Sequence, residues 1–225
     1  VGNTNIKGRL DEIVVGSGPE MASFGVALPE LVLAGQDFSI DVTVVDSIGN
    51  VATGYAGTVI FSSSDPGATF PSPFTFTTND QGQATVTGFR LANGGGREIK
   101  VTDQINTNLW GDADTTVYMG GATNTTHFFV SVSPQPLISN LWYDVNILAL
   151  GDGELVNTNH AGNVLFSSTA PGISYGINPF GAFSNGMALI TNQVQPSASG
   201  DFLLRVALQS DTNIFGEADI FVVGG

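Results

Sequence analysis

The chain has 225 residues, 42% of them hydrophobic, and a formal net charge of −14 from 20 acidic against 6 basic side chains. That balance repels nucleic acid and anionic lipid, and the absence of cysteine excludes disulfides, thiolate metal sites and cysteine catalysis. No apolar run of about 18 residues occurs, so no membrane insertion is expected, and 29 glycines with 10 prolines cut the chain into pieces too short for helices.

Residues 1–22, VGNTNIKGRLDEIVVGSGPEMA, open the chain with Ile6, Leu10, Ile13 and Val15 available for burial. An extension of this kind is held in place only by pairing with something. It is expected to add as a strand either to its own domain or to a neighbouring subunit. A strand is then expected at 23–33 and another at 35–46, where Phe38, Ile40, Val42 and Val44 alternate with Ser39, Asp41 and Thr43. Further strands are expected near 57–63, 74–78, 83–91, 97–103 and 113–119, with a turn at SSDPG after the first of these. Seven short strands are the count of an immunoglobulin-like sandwich.

The second half repeats the first at a shift of 105 positions, so that TNLWGDAD (107–114) lies over TNIFGEAD (212–219). AGTVIFSSSDPG (56–67) lies over AGNVLFSSTAPG (161–172), and FSIDVTVV (38–45) over YDVNILAL (143–150). A period near 100 residues is a whole domain used twice. The expected fold is all-β: two tandem immunoglobulin-like β-sandwiches, 23–120 and 121–225, behind the extended N-terminal segment 1–22. In the repeated octapeptide, Trp110 and Phe215 are expected to plug one end of each sandwich, and Gly111 and Gly216 to permit a tight turn.

Residues 41–86 resemble the bacterial immunoglobulin-like repeats of large cell-surface proteins and adhesins. The shared features are Val-x-Asp-x-x-Gly-Asn at 44–50, Gly-Tyr-x-Gly-Thr-Val at 54–59 and Phe-Ser-Ser-Ser-Asp at 61–65. The resemblance covers roughly 23–119 and is weaker in the second copy, where Gly151, Glu154, Leu155 and His160 replace Asp46, Gly49, Asn50 and Tyr55. It implies a secreted, non-catalytic scaffold and names no partner.

Chemistry is sparse. His127 and His160 lack an accompanying Gly-x-Ser-x-Gly elbow, and ANGGGRE (92–98) lacks the Lys-Ser/Thr of a phosphate loop. The pairs Asp112/Asp114 and Glu217/Asp219 each point to one face of a strand and are the candidate calcium ligands, without EF-hand spacing. Calcium is the one cofactor they suggest. Trp142 aligns with Asp37 and is the aromatic expected to face outward, a candidate for stacking on a glycan, and Asn124 opens an Asn-Thr-Thr glycosylation sequon.

The two copies also differ on their outer faces. Thr43, Glu98 and Thr116 become Leu148, Leu203 and Phe221, and the second copy carries 7 acids and 1 base at 122–225 against 10 and 3 at 21–121. A sheet apolar on both faces should be covered, by the other domain, a neighbour's tail or another subunit. The expected function is a non-catalytic extracellular structural protein, a filament or surface-layer subunit that self-associates. Its contacts would be made by the N-terminal strand (Ile6, Leu10, Ile13, Val15) and by Leu148, Leu203 and Phe221. An adhesin stalk segment and a carbohydrate-binding accessory module are the alternatives.

Overall fold

The computed structural model describes residues 21–169 and 172–225; Ile6, Leu10, Ile13 and Val15 lie outside the described residues. The first half contributes β1 (Met21–Ala27), β2 (Leu31–Leu33), β3 (Asp37–Asp46), β4 (Thr58–Ser63), β5 (Phe74–Thr75), β6 (Gln83–Arg90), β7 (Gly95–Asp103) and β8 (Trp110–Tyr118). The second contributes β9 (His127–Ser133), β10 (Leu137–Ile138), β11 (Tyr143–Leu150), β12 (Val164–Ser168), β13 (Ile173–Tyr175), β14 (Met187–Pro196), β15 (Gly200–Leu208) and β16 (Asp211–Val223). The protein is an all-β chain of two sandwiches.

Each sandwich pairs a sheet built on its long third strand with a sheet built on its last hairpin. In the first, β1-β3-β6 faces β2-β8-β7-β4-β5; in the second, β13-β14-β11-β9 faces β10-β16-β15-β12. Alternation along β3 explains the packing, since Ile40, Val42 and Val44 point inward and are buried while Asp41 stays exposed. One core gathers Phe24, Val59, Phe76, Phe89, Ile99 and Val101. The other gathers Phe128, Val145, Ile147, Phe166, Leu204 and Ile220.

The structure corrects two sequence expectations. The opening strand expected at 23–33 is two strands on opposite sheets: β1 runs antiparallel to β3, whereas β2 runs parallel to β8. Pro29 sits at the crossing, where it has no N–H to offer a ladder, and its carbonyl accepts the Thr115 hydroxyl at 2.9 Å from the other sheet. β9 and β10 cross in the same way, around Pro134 and Pro136. The strand expected at 74–78 shortens to Phe74–Thr75 and pairs with β4, as Phe180 bridges Val164 in the second sandwich, while β13 on β14 matches the single bridge of Thr69 to Arg90 in the first.

Candidate interdomain junction and surface sites

β11 departs from strand alternation at its end, where Leu148, Ala149 and Leu150 are all buried. The inward residues serve the sandwich core; Leu148 and Leu150 serve a separate apolar cluster with Leu33 and Val156, packed round by Leu31, Tyr118, Phe129 and Met187. Leu31, Leu33 and Tyr118 come from the first sandwich, the rest from the second, so this cluster is the joint between domains. Leu148, expected on a subunit interface, is fully buried inside the chain instead, because the first sandwich's β2 edge and β8 end lie over it. The register shows why only the second sheet can receive them: Leu148 stands opposite Phe129 and Met187, where the first sandwich has Thr43 opposite Gly25 and Gln83.

Polar contacts fix the joint's orientation. The Glu30 carboxylate accepts from the Asn146 amide at 2.7 Å and from the Ser133 hydroxyl at 3.1 Å. The Val156 N–H donates to the Met119 carbonyl at 2.7 Å, and the Gly121 N–H donates back to the Val156 carbonyl at 3.1 Å. The Tyr118 ring lies 5.8 Å from that of Phe129, and burial, then the Glu154 and Glu30 carboxylates, push its hydroxyl pKa up. Beside the joint a cleft of about 630 Å³ opens between the sandwiches, lined by Leu28, Leu31, Phe38, Met187 and Leu189 with Glu30 and Asp144. Sequence reasoning missed Glu30, Leu33, Tyr118, Val156 and Met187. Phe129 and Met187 standing at the positions of Gly25 and Gln83 were the available signal.

The repeated octapeptide has a different meaning from the one expected. Trp110 is 43% exposed, with the Lys100 ammonium 4.0 Å from its ring centroid, and the Arg205 guanidinium lies 3.5 Å over Phe215. The aromatics therefore face outward under cations; buried Leu109 and half-buried Ile214 fill the end of each sandwich. Alternation turns the glycines inward, not into a turn. A Cβ on Gly111 would land on the Phe24 carbonyl oxygen, and one on Gly216 on the Phe128 carbonyl oxygen, so each glycine lets the opposite sheet's first strand approach.

Asp112, Asp114, Glu217 and Asp219 are exposed and stay in two separate pairs, one per sandwich. Asp112 stands opposite Lys100 and Asp114 opposite Glu98; Glu217 is bridged by Arg205 at 3.4 Å. Among the described residues no group of three or more His, Asp or Glu side chains is placed to hold a metal ion. Leu203 and Phe221 share the outer face of β15 and β16, where Leu203 stands opposite Asp219 and Phe221 opposite Asp201. Phe221 is 50% exposed, and Gln135 ties its N–H and the Asp219 carbonyl at 2.9 Å each. Trp142 is exposed beside Leu141, and Asn124 is exposed in the connection between domains.

The buried polar groups are structural. The Tyr55 hydroxyl donates to the Asp103 carboxylate, which also accepts from the Ile105 and Asn106 N–H groups at 2.8 and 2.7 Å. Burial and that carboxylate push the Tyr55 pKa far up. In the second copy His160 takes this place, held by Thr125 at 2.9 Å and the Gly162 carbonyl at 3.1 Å; burial outweighs the Gly162 carbonyl and lowers its pKa. Asp65 accepts from Gly67, Ala92 and both nitrogens of Asn93 at 2.6–3.0 Å.

No protein-family model matches the sequence, and no curated protein matches it significantly. Among solved structures the chain is similar to domains 5–6 of the S-layer protein SbsC, at 20% identity and TM-score 0.43, covering 92% of this chain and 99% of that one. It is similar to the Escherichia coli adhesin FdeC at 16% identity and TM-score 0.37, covering 89% and 64%. It is also similar to β-glucuronidase 3 of Bacteroides uniformis at 12% identity and TM-score 0.44, covering 90% of this chain and 25% of that one.

Proposed function

We propose that the chain is a non-catalytic structural module of an extracellular cell-surface assembly, with two sandwiches locked end to end as one stiff unit. The observation that carries this reading is the joint: an apolar cluster closed by Glu30, Ser133 and Asn146 and by backbone hydrogen bonds between Met119, Gly121 and Val156. A flexible tether between independent domains needs none of these contacts. Such a unit suits a filament or layer, where the Leu203/Phe221 face packs against a neighbour and residues 1–22 add to one as a strand.

The experiment is the assembly state of the protein, by negative-stain imaging and light scattering. It is run for the full chain, for a deletion of residues 1–20, and for Leu203→Lys combined with Phe221→Lys. The full chain is expected to form fibres or sheets and both variants to remain folded monomers. A full chain that stays monomeric at every concentration, or a deletion that assembles like its parent, contradicts the reading.

A further inference from the structure

The two copies have diverged in opposite senses on the outer faces of their last hairpins. Where the first copy has exposed Glu98 and Thr116, the second has Leu203 and Phe221. These two stand beside Asp219 and Asp201 across β15 and β16. A depression of about 620 Å³ opens there, lined by Leu203, Phe221, Thr169 and Gln135 with the two carboxylates. That volume lies in the range of sites that receive a small ligand, and an aromatic anchor filling a pocket is the usual centre of a protein interface.

In the first copy the specialised patch sits at the other end of the hairpin. Ile60, Thr102 and Trp110 form one row across β4, β7 and β8, with Lys100 in the next row beside Asp112. Ile60 is 39% exposed and Trp110 43%. The Lys100 ammonium lies over the indole and makes no ion pair among the described residues. The second copy has closed the same place: Leu165 and Phe215 are half-buried, and Arg205 is bound to Glu217 and to the Thr212 carbonyl at 3.1 Å. One chain therefore carries an apolar patch edged by two acids and an apolar patch edged by a lysine.

The acid-edged patch does not match itself. Set against its own copy it would bring Asp201 and Asp219 of both chains together, and like charges facing across an interface repel. Nor can the two patches meet within one chain. Trp110 stands roughly 26 Å of extended strand from Tyr118 in the joint. Leu203 and Phe221 lie on the sheet of the second sandwich that contributes nothing to the joint.

We infer that the Leu203/Phe221 patch of one copy seats the Trp110 patch of the next. Trp110 enters the depression, Ile60 covers the apolar pair, and the Lys100 ammonium faces Asp201 and Asp219. The contact is heterologous, so each added copy leaves one patch of each kind free for another. The inference rests on the reading of the chain as an assembling structural module and names the neighbour's half of its contact.

The test mixes two variants of the full chain, each disabled on one patch: Leu203→Lys with Phe221→Lys, and Trp110→Ser with Lys100→Glu. All four side chains lie on outer faces, and circular dichroism checks that both variants keep the parent's fold. Sedimentation velocity is expected to show each variant alone as a monomer and the mixture as a one-to-one heterodimer, because only the mixture offers one intact patch of each kind. Monomers in the mixture, or larger species of either variant alone, overturn the pairing. Lys100→Glu alone, which removes no packing, is expected to weaken the parent's association about tenfold or more; association equal to the parent's overturns the seat of the lysine. A parent chain that stays monomeric contradicts the assembly reading as well, whereas a parent that assembles while the mixture does not contradicts this pairing alone.

Discussion

Gly111 and Gly216 do for the two sandwiches what no other residue can at those positions, since any side chain would enter the backbone of the facing first strand. Gly216→Val is expected to cost about 3 kcal/mol or more, read as a lowered urea midpoint of the second sandwich with the first unchanged. Asp65 is the counterpart case of a charge that belongs. Burial opposes its ionisation, but hydrogen bonds from Asn93, Gly67 and Ala92 outweigh burial and hold its pKa well below the usual carboxylate range. A lowered folded pKa stabilises fully above the unfolded value of about 4, and the contribution is lost as pH falls below it. Asp65→Ala is therefore expected to destabilise the first sandwich by about 2 kcal/mol at neutral pH, with the gap to the parent closing below about pH 4 in melting curves. The second copy has Ala170 at this position, so its acid response is set elsewhere. With Lys100 facing Asp112 and Arg205 bound to Glu217, calcium is expected to leave the melting temperature unchanged. A rise that saturates with calcium would restore the acid pairs as a site.

At the scale of elements, β11 is the strand on which the architecture turns, because it is buried on both faces at Leu148 and Leu150. Leu148→Ala is expected to cost about 3 kcal/mol, as in a core, although its counterpart Thr43 lies on a polar outer face; calorimetry of the single variant checks it. The strands themselves were legible, because period-2 alternation at 38–45 and the 105-residue repeat leave little choice of element. The crossing between β1 and β2 was not, since Phe24 through Leu33 is apolar enough to pass as one strand and only Pro29 marks the break. Nor were the bounds of β5 and β13, where two or three residues carry no face preference. Leu148, Leu203 and Phe221 were all readable as misplaced apolar residues. Which of them another part of the chain covers was not, because that depends on where the β2 edge lands.

For the whole molecule, the described surface offers a joint already used, a Leu203/Phe221 face edged by Asp201 and Asp219, and exposed Ile138, Leu141 and Trp142 on the second sandwich. Trp142→Ala is expected to leave folding intact; lost binding on a glycan array by this variant would favour the carbohydrate-binding alternative. The central claim is that the two sandwiches move as one body. It is tested most directly by electron spin distance measurement between labels on exposed Thr85 of the first sandwich and Ser210 of the second, each introduced as cysteine, in the full chain and with Leu33→Asp. The account predicts one narrow distance distribution for the full chain and a broad one for Leu33→Asp, with both sandwiches still folded. A distribution as broad in the full chain as in the variant would contradict it.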